Sequence, residues 1–516
     1  MPRLILDSFS ARVFVALFVP PDYIRLSCLA KNFRGIAISQ GQLNSCFILL
    51  LFLQGKFPVK NEGSERNMYP ANVKLLDDVI AFVRDGVCRG PGEGLPAGGR
   101  VILKGGLLID PKNRIEAVKD VAIVGDSVAE VSDSITAEKG DMLISCEGLI
   151  VIPGLIDMHL HLGDLFEVST NPIFCAVEDG VTLGLSPGAG NTFMAPSLLG
   201  AEVDHGVPMN LGVYLGAVNV LGTMLNVEEL IQMFRGELDP DIACTKMSRN
   251  GITITTAPLT IGIKDHMGHF IMSDENIDKI FKITSEVGLV YMSHTQDPSH
   301  AQRMVELSRG RPLHLAHATA AGCGTHWAPA EGMQAVINLV GDNVTAEFVT
   351  TMLREGRGSR EGLQIPRDAQ ELAYDALASK KVGILISDGQ NDATMKGFGD
   401  TRDNIPAIIE LAEMGVLSLS DAVATMTCNP AGLLAKRTFN PWWKEKMGHL
   451  GVGALANVTI IDRKDKLATY TIVNGQIVSF ENRAYRRNGG AGGWVSKYGM
   501  LRRTGVGDLA MFSYKR

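Results

Sequence analysis

The 516-residue chain predicts an α/β fold. Its core is a (β/α)8 barrel of the TIM type, with a small flanking β-sandwich domain built from N- and C-terminal segments. Three observations predict it. Between residues 153 and 447 short apolar runs alternate with stretches of helical periodicity, and eight such units give a parallel sheet that closes on itself. Two patches of period-two alternation lie on either side in sequence and read as strands of one further sheet. Histidines, a lysine and an aspartate fall at the C-terminal ends of the apolar runs, where a barrel gathers its active site.

Taken in order, residues 1–67 differ from the rest. They hold two apolar bursts, Val13–Val19 and Cys46–Leu53, separated by Pro20, Pro21 and basic residues. Asp7 and Ser8 interrupt any signal-peptide core, and no small-x-small cleavage site follows. A membrane anchor and a genuine extra element are alternatives, but a start upstream of Met68 that is not part of the fold is the reading adopted. Residues 68–99 form a lead-in: an amphipathic run from Val73 to Val83, then a loop rich in Gly and Pro. Residues 100–152 supply short antiparallel strands at Arg100–Lys104, Asp120–Val124, Ser127–Val131 and Leu149–Ile152, with a turn at Asp110–Asn113.

The barrel, 153–447, has strand candidates Leu155–His159, Val181–Leu185, Asn210–Gly216, Leu259–Lys264, Gly288–Ser293, Pro312–Ala316, Val344–Val349 and Val382–Ser387. Glu275–Glu286, Pro298–Ser308 and Asp368–Ser379 are among its helices. Residues 448–483 return to period two. There Asn474-Gly475 joins two runs, the strongest short hairpin signal. Residues 484–516, rich in Gly, Arg and aromatics, read as a C-terminal tail that covers a neighbouring subunit or is mobile.

Composition narrows the function classes. Hydrophobic residues make up 46% and charged residues 20%, enough for a large core. Mean hydropathy is +0.11, yet no apolar run reaches the roughly 18 residues a membrane span needs. A net charge of −7 argues against a nucleic-acid partner, which needs a basic face. Eight scattered cysteines without a CxxC pair read as reduced thiols and a cytoplasmic location. A small molecule is the expected partner.

The first chemistry-bearing stretch is Pro153-Gly-Leu-Ile-Asp157-Met-His159-Leu-His161. In a strand, residues i and i+2 share a face, so both imidazoles can reach one cation. Asp157 is a third ligand or an acceptor behind them. Further strands end at His294, His317 and Asp388, with Lys264 at the end of the fourth. His314 competes with His317. The two differ by an odd number and face opposite sides of an extended strand, and His317 at the mouth is preferred. His266 and His269 flank the fourth strand end and bind substrate or cover the barrel mouth. His205, His300, His326 and His449 read as surface or loop histidines, with His326 the first exception to consider, and Lys246 is a weaker alternative to Lys264. After the seventh strand, Arg354, Arg357 and Arg360 form an anion-binding candidate, with Arg354 the substrate contact, or a solvated charge run. Ser186-Pro-Gly-Ala-Gly190 lacks the Lys-Ser/Thr pair of a phosphate loop.

PGLIDMHLHL resembles the signature of the amidohydrolase superfamily of metal-dependent hydrolases. The resemblance runs from about Arg100 to about Phe480 and includes Gly451–Asp462 and Thr427-Cys-Asn429-Pro430-Ala431. It implies metal ligands at His159, His161, His294, His317 and Asp388. It also implies that Lys264 carries a CO2-derived carbamate bridging two ions, where the plain alternative is a lysine on the barrel rim. Imidazole and carboxylate donors suit Zn2+ or a similar divalent ion. Asp388 would also move the proton from water to the leaving nitrogen. The expected reaction is hydrolysis of a C–N bond in an amide or cyclic amide. The chain looks closer to the dihydroorotase, hydantoinase and deacetylase branches than to the nucleobase deaminases, because His294-Thr-Gln-Asp297 offers no nearby glutamate. A heterocycle deaminase, an ester or lactone hydrolase and a non-catalytic relative are the rivals. Oligomers are common in the family, so a homo-oligomer is a further expectation.

Overall fold

The computed structural model describes residues 99–162, 173–188, 191–266, 272–357, 364–389, 399–484 and 490–501. The readings for residues 1–98, including the amphipathic run, lie outside these. Five strands come first: β1 (Val101–Asp110), β2 (Ile115–Val124), β3 (Ser127–Ser132), β4 (Met142–Ser145) and β5 (Ile150–Pro153). The barrel follows with β6 (Leu155–Asp157), α1 (Ile173–Glu178), β7 (Val181–Ser186), α2 (Ala195–His205) and β8 (Asn210–Gly216). Four helices come next, α3 (Ala217–Leu221), α4 (Val227–Arg235), α5 (Pro240–Lys246) and α6 (Gly251–Thr256), before β9 (Gly262–Asp265). Then come α7 (Asp274–Val287), β10 (Val290–His294), α8 (Pro298–Ser308), β11 (Leu313–Ala316), α9 (Pro329–Leu339), β12 (Val344–Val349), α10 (Thr350–Leu353), α11 (Arg367–Ala378) and β13 (Ile384–Ile386). Helices α12 (Asn404–Glu413), α13 (Leu419–Ala424), α14 (Cys428–Arg437) and α15 (Trp442–Lys446) lead to β14 (Val458–Asp462), β15 (Leu467–Val473), β16 (Gln476–Phe480) and β17 (Arg483–Ala484). Strands β18 (Trp494–Ser496) and β19 (Gly499–Leu501) end the described chain.

Strands β6 to β13 pair in parallel, each with its successor in sequence. The circle closes through a bridge between Leu160 and Gly389. Their side chains are almost wholly buried, as parallel strands covered on both faces must be. Helix ends follow local chemistry. Asn226 and Glu229 form a reciprocal capping box on α4, and Ser273 caps α7, which Gly288 ends in a left-handed turn.

The flanking domain is one nine-stranded sheet in the order β17-β16-β15-β14-β5-β1-β2-β3, with β4 on β1. Strand β14 pairs antiparallel with β5, and this joins the two ends of the chain. The expectation of purely antiparallel strands is corrected here: β4 and β5 both run parallel to β1. At the β15–β16 turn Asn474 and Gly475 have φ of 48° and 77°, the two positive values a tight hairpin turn requires. A side chain at Gly475 would place Cβ 1.9 Å from the Gly125 carbonyl oxygen.

The tail expectation needs a larger correction. Residues 490–501 pack onto the barrel of their own chain. Strand β18 bridges β8 at Trp494–Leu211. The Ala491 and Gly492 amides donate to the Val207 carbonyl, and the Lys497 amide donates to that of Thr260. Trp494 and Val495 are buried. Thr260 thus spends its carbonyl on this segment, and β9 begins at Gly262, later than the Leu259 expected. Lys497 is also buried. Its Nζ donates to the Val287 carbonyl at 2.8 Å, and burial lowers its pKa to about 8. Among the described residues no helix is long and apolar enough to cross a membrane.

Candidate metal centre

Four of the eight barrel strands end in or beside an imidazole or a carboxylate that turns inward. Among the described residues, one group of three histidine, cysteine or carboxylate side chains brings its ligand atoms within 4.8 Å of one another: His159, His161 and Asp388. The histidines do not lie in the strand, as their spacing predicts, because β6 stops at Asp157. They follow it in an irregular stretch pinned to the last barrel strand, where the His161 amide donates to the Gly389 carbonyl. Their ring centroids are 5.4 Å apart. Both Nε2 atoms converge on one oxygen, Asp388 Oδ1, at 3.0 Å for His159 and 3.1 Å for His161.

His294, the last residue of β10, places its ring 4.5 Å from that of His317, and His317 lies 5.0 Å from His159. The parity argument that set His314 against His317 does not hold. Strand β11 ends at Ala316, and His317 adopts a left-handed backbone with φ 36° and ψ 46°. That turn swings its ring back inward. Asp388, two residues past β13, also has a left-handed φ of 47°. Non-glycine residues pay for this conformation, and it concentrates at functional sites.

Lys264 is buried at the end of β9, with Nζ 2.7 Å from His159 Nε2. Lys246, its rival, is instead paired with Glu229 on the barrel exterior. Burial pushes the His294 pKa down to about 4, with Lys264 adding to the effect. Burial and His294 push His317 well below the usual imidazole range. Both therefore stay neutral, the form that binds a cation. Burial alone would raise Asp388, but the neighbouring histidines outweigh it and hold the carboxyl well below its ordinary value.

Asp157 lies outside the group formed by His159, His161 and Asp388. It accepts from the backbone amides of Ser387 and His159 and from Asn404, so it ties the first barrel strand to the last. His266 follows β9 and lies 3.0 Å through Nε2 from the Pro187 carbonyl. His269 and Arg360 lie outside the described residues. The Arg354 guanidinium is already answered within the chain: it binds both Glu410 oxygens at 2.8 Å and also Asp403. Arg357 shares Asp403. That arrangement braces α10 against α12. His300 and His449, read as surface or loop residues, are buried.

Sequence reasoning missed Glu347. It is a fully buried carboxylate in the middle of β12. Its Oε1 accepts from His159 Nδ1 at 2.5 Å and from the His317 amide at 3.1 Å. Its Oε2 accepts from His314 Nε2 at 2.9 Å. Burial would raise its pKa, but His159 and His314 reverse that and drive it far below the ordinary range. The signal was present in Val344-Thr-Ala-Glu-Phe-Val: a charge in an otherwise apolar run read as a buried strand.

Comparison with known proteins gives a consistent neighbourhood. The model of the amidohydrolase family matches residues 150–478. A dihydroorotase of Geobacter sp. (strain M21) is 25% identical over 438 residues, 73% of this chain and 99% of the relative. A dihydroorotase of Trichlorobacter lovleyi is 25% identical over 399 residues, 70% of this chain and 89% of the relative. Among solved structures, a D-hydantoinase superposes with a TM-score of 0.58 at 18% identity, covering 78% of this chain and all of that one. A dihydropyrimidinase from Brevibacillus agri gives 0.56 at 15% identity, over 77% and 99% of the two chains.

Proposed function

The chain belongs to the amidohydrolase family and is a metal-dependent hydrolase of carbon–nitrogen bonds; from that premise we propose that it opens a cyclic amide at a two-zinc centre. The ligands in this reading are His159, His161, Lys264 as its carbamate, His294, His317 and Asp388.

One observation carries the reading. His159 Nδ1 donates to Glu347, which leaves a lone pair on Nε2. That lone pair faces Asp388 Oδ1 at 3.0 Å, and His161 Nε2 faces the same oxygen. A protonated Lys264, with Nζ 2.7 Å from His159 Nε2, would answer these atoms by itself; with Lys264 as its carbamate that cation is gone, and the converging imidazole and carboxylate donors fit a divalent cation of the zinc type. Zinc bound there supplies polarisation of a carbonyl and acidification of a water molecule.

Lys264 and Asp388 have the remaining tasks. A protonated Lys264 would add to the repulsion between two cations. As a neutral amine it adds CO2 and releases a proton, becoming an anion at the same position. Asp388 takes the proton of the attacking water and passes it to the leaving nitrogen, a role typically worth about 10²–10⁴ in rate.

The names of the relatives, dihydroorotase and hydantoinase, favour a ring amide over an open-chain one. The aminohydrolase alternative is not favoured. Asp297, the acid nearest after His294, spends its carboxylate capping α8. His266 remains a substrate contact in this reading. A cytoplasmic location is supported by the free thiols of Cys146, Cys244, Cys323 and Cys428.

The test is a screen of the zinc-loaded protein against cyclic ureides, N-acyl amino acids and aminopurines, alongside a metal-stripped control. Ring opening of a cyclic ureide, lost on stripping and restored by zinc, is the expected result. Turnover of aminopurines alone, or full activity without metal, would overturn it.

A further inference from the structure

A column of buried polar groups runs from the candidate metal centre into the barrel. His159 Nδ1 reaches Glu347 at 2.5 Å, and Glu347 reaches His314 Nε2 at 2.9 Å. His314 Nδ1 lies 2.9 Å from the Thr345 hydroxyl. Arg437, on α14, lies 3.4 Å from that same hydroxyl. Glu347 and His314 are fully buried, in a barrel whose other interior positions are mostly apolar. A carboxylate in such a place is costly unless its oxygens are answered by donors. Glu347 has three, and two of them belong to proposed ligands from different strands.

We propose that Glu347 is the positioning carboxylate of the metal centre, orienting His159 from the first barrel strand and His317 from the sixth, with His314 as its anchor. The inference rests on the metal-centre reading above. By accepting from Nδ1, Glu347 fixes the tautomer in which His159 Nε2 carries the lone pair and turns that nitrogen toward Asp388. A carboxylate behind a ligating imidazole also raises the basicity of the ligand. By accepting the His317 amide, the same oxygen holds the left-handed turn that brings the His317 ring inward. One side chain thus sets the angular relation of two ligands that no local sequence connects. His314 fixes the second oxygen and with it the plane of the carboxylate.

The experiment measures zinc affinity by competition with a chromogenic chelator, beside the melting temperature of the metal-free protein. Wild type, Glu347→Gln and His314→Gln are compared. Glu347→Gln keeps the volume and one acceptor but removes the charge. It is expected to weaken zinc binding about 10- to 100-fold, the usual range for loss of such a partner. His314→Gln is expected to weaken binding less, with the same sign, and it carries the test if Glu347→Gln does not fold. Saturating zinc should restore much of the turnover of Glu347→Gln. Wild type that binds no divalent ion overturns the metal-centre reading and this inference with it. Wild type that binds zinc, with variants that bind it equally tightly, overturns the positioning role alone. Variants that lose only melting temperature, with zinc affinity unchanged, also overturn it and leave Glu347 a structural residue.

Discussion

Two of the proposed ligands, His317 and Asp388, sit in left-handed backbone just beyond the ends of their strands. Neither is a glycine, so the chain bears a local cost of roughly 1–2 kcal/mol at each. Returns on that cost depend on the atoms those turns aim, and this is where substitutions should be felt. His161→Asn is expected to lower bound metal and abolish turnover while the fold survives, because the barrel core lies elsewhere; metal content and circular dichroism measured together check it. Lys264→Ala should lose most of the metal and most of the activity. If the missing group is a short carboxylate, acetate or propionate at high concentration should restore part of both. A mutant that keeps two ions and the wild-type rate would remove Lys264 from the metal centre. At this scale much was legible in the sequence, since His159, His161, Lys264, His294, His317 and Asp388 stand at or beside strand ends. Glu347 was not, because a lone charge in an apolar strand has no motif. Its role comes from donors 30 and 188 positions away.

Among the elements, the turn between α1 and β7 makes a pH-dependent contribution. Asp179 accepts from the Thr401 hydroxyl at 2.5 Å. Burial raises its pKa to about 7, with Asp400 and Glu178 adding to the effect. The folded state therefore holds this proton more tightly than the unfolded state, whose carboxyl titrates near 3.8. The stabilisation is full below about pH 4 and is lost as pH rises through about 7. Asp179→Asn should accordingly raise the melting temperature by a few degrees near pH 7.5 and change it little near pH 4, as thermal melts at the two values would read. Element boundaries were legible wherever periodicity was long, as in α8 and β12. They shifted where hydrogen bonds came from distant chain, as at Leu259–Ile261, where the partner of Thr260 is Lys497. The parallel pairing of β1 with β4 and β5 was hidden for a similar reason: alternation reports which face is buried and carries no strand direction.

For the whole molecule, residues 490–501 matter most. Aromatic and glycine-rich composition made them look like a tail, because composition does not record which neighbour a tryptophan will meet. In the fold Trp494 is among the largest fully buried side chains. Trp494→Ala is expected to cost about 3–5 kcal/mol. Truncation before Gly490 should lower the melting temperature further and expose the apolar residues around Val207 and Leu211. Comparison of thermal melts and of hydrophobic-dye binding between full and truncated chains checks this. An unchanged melt would show that the segment adds nothing to the fold.

The joining of β5 to β14 also has a consequence for how the molecule is made. Strand β5 ends at Pro153, and its partner edge begins at Val458. A ribosome adding about 5–20 residues per second needs roughly 15–60 s to cover the interval. Throughout that time the nascent β1–β5 sheet presents a bare edge, the kind of surface that pairs with whatever strand comes within reach. Strands β1–β5 thus wait for β14, which is made only after the whole barrel. Their window of vulnerability is set by the length of the catalytic barrel between them, so slower elongation at a fixed folding rate should raise misassembly in proportion to the waiting time.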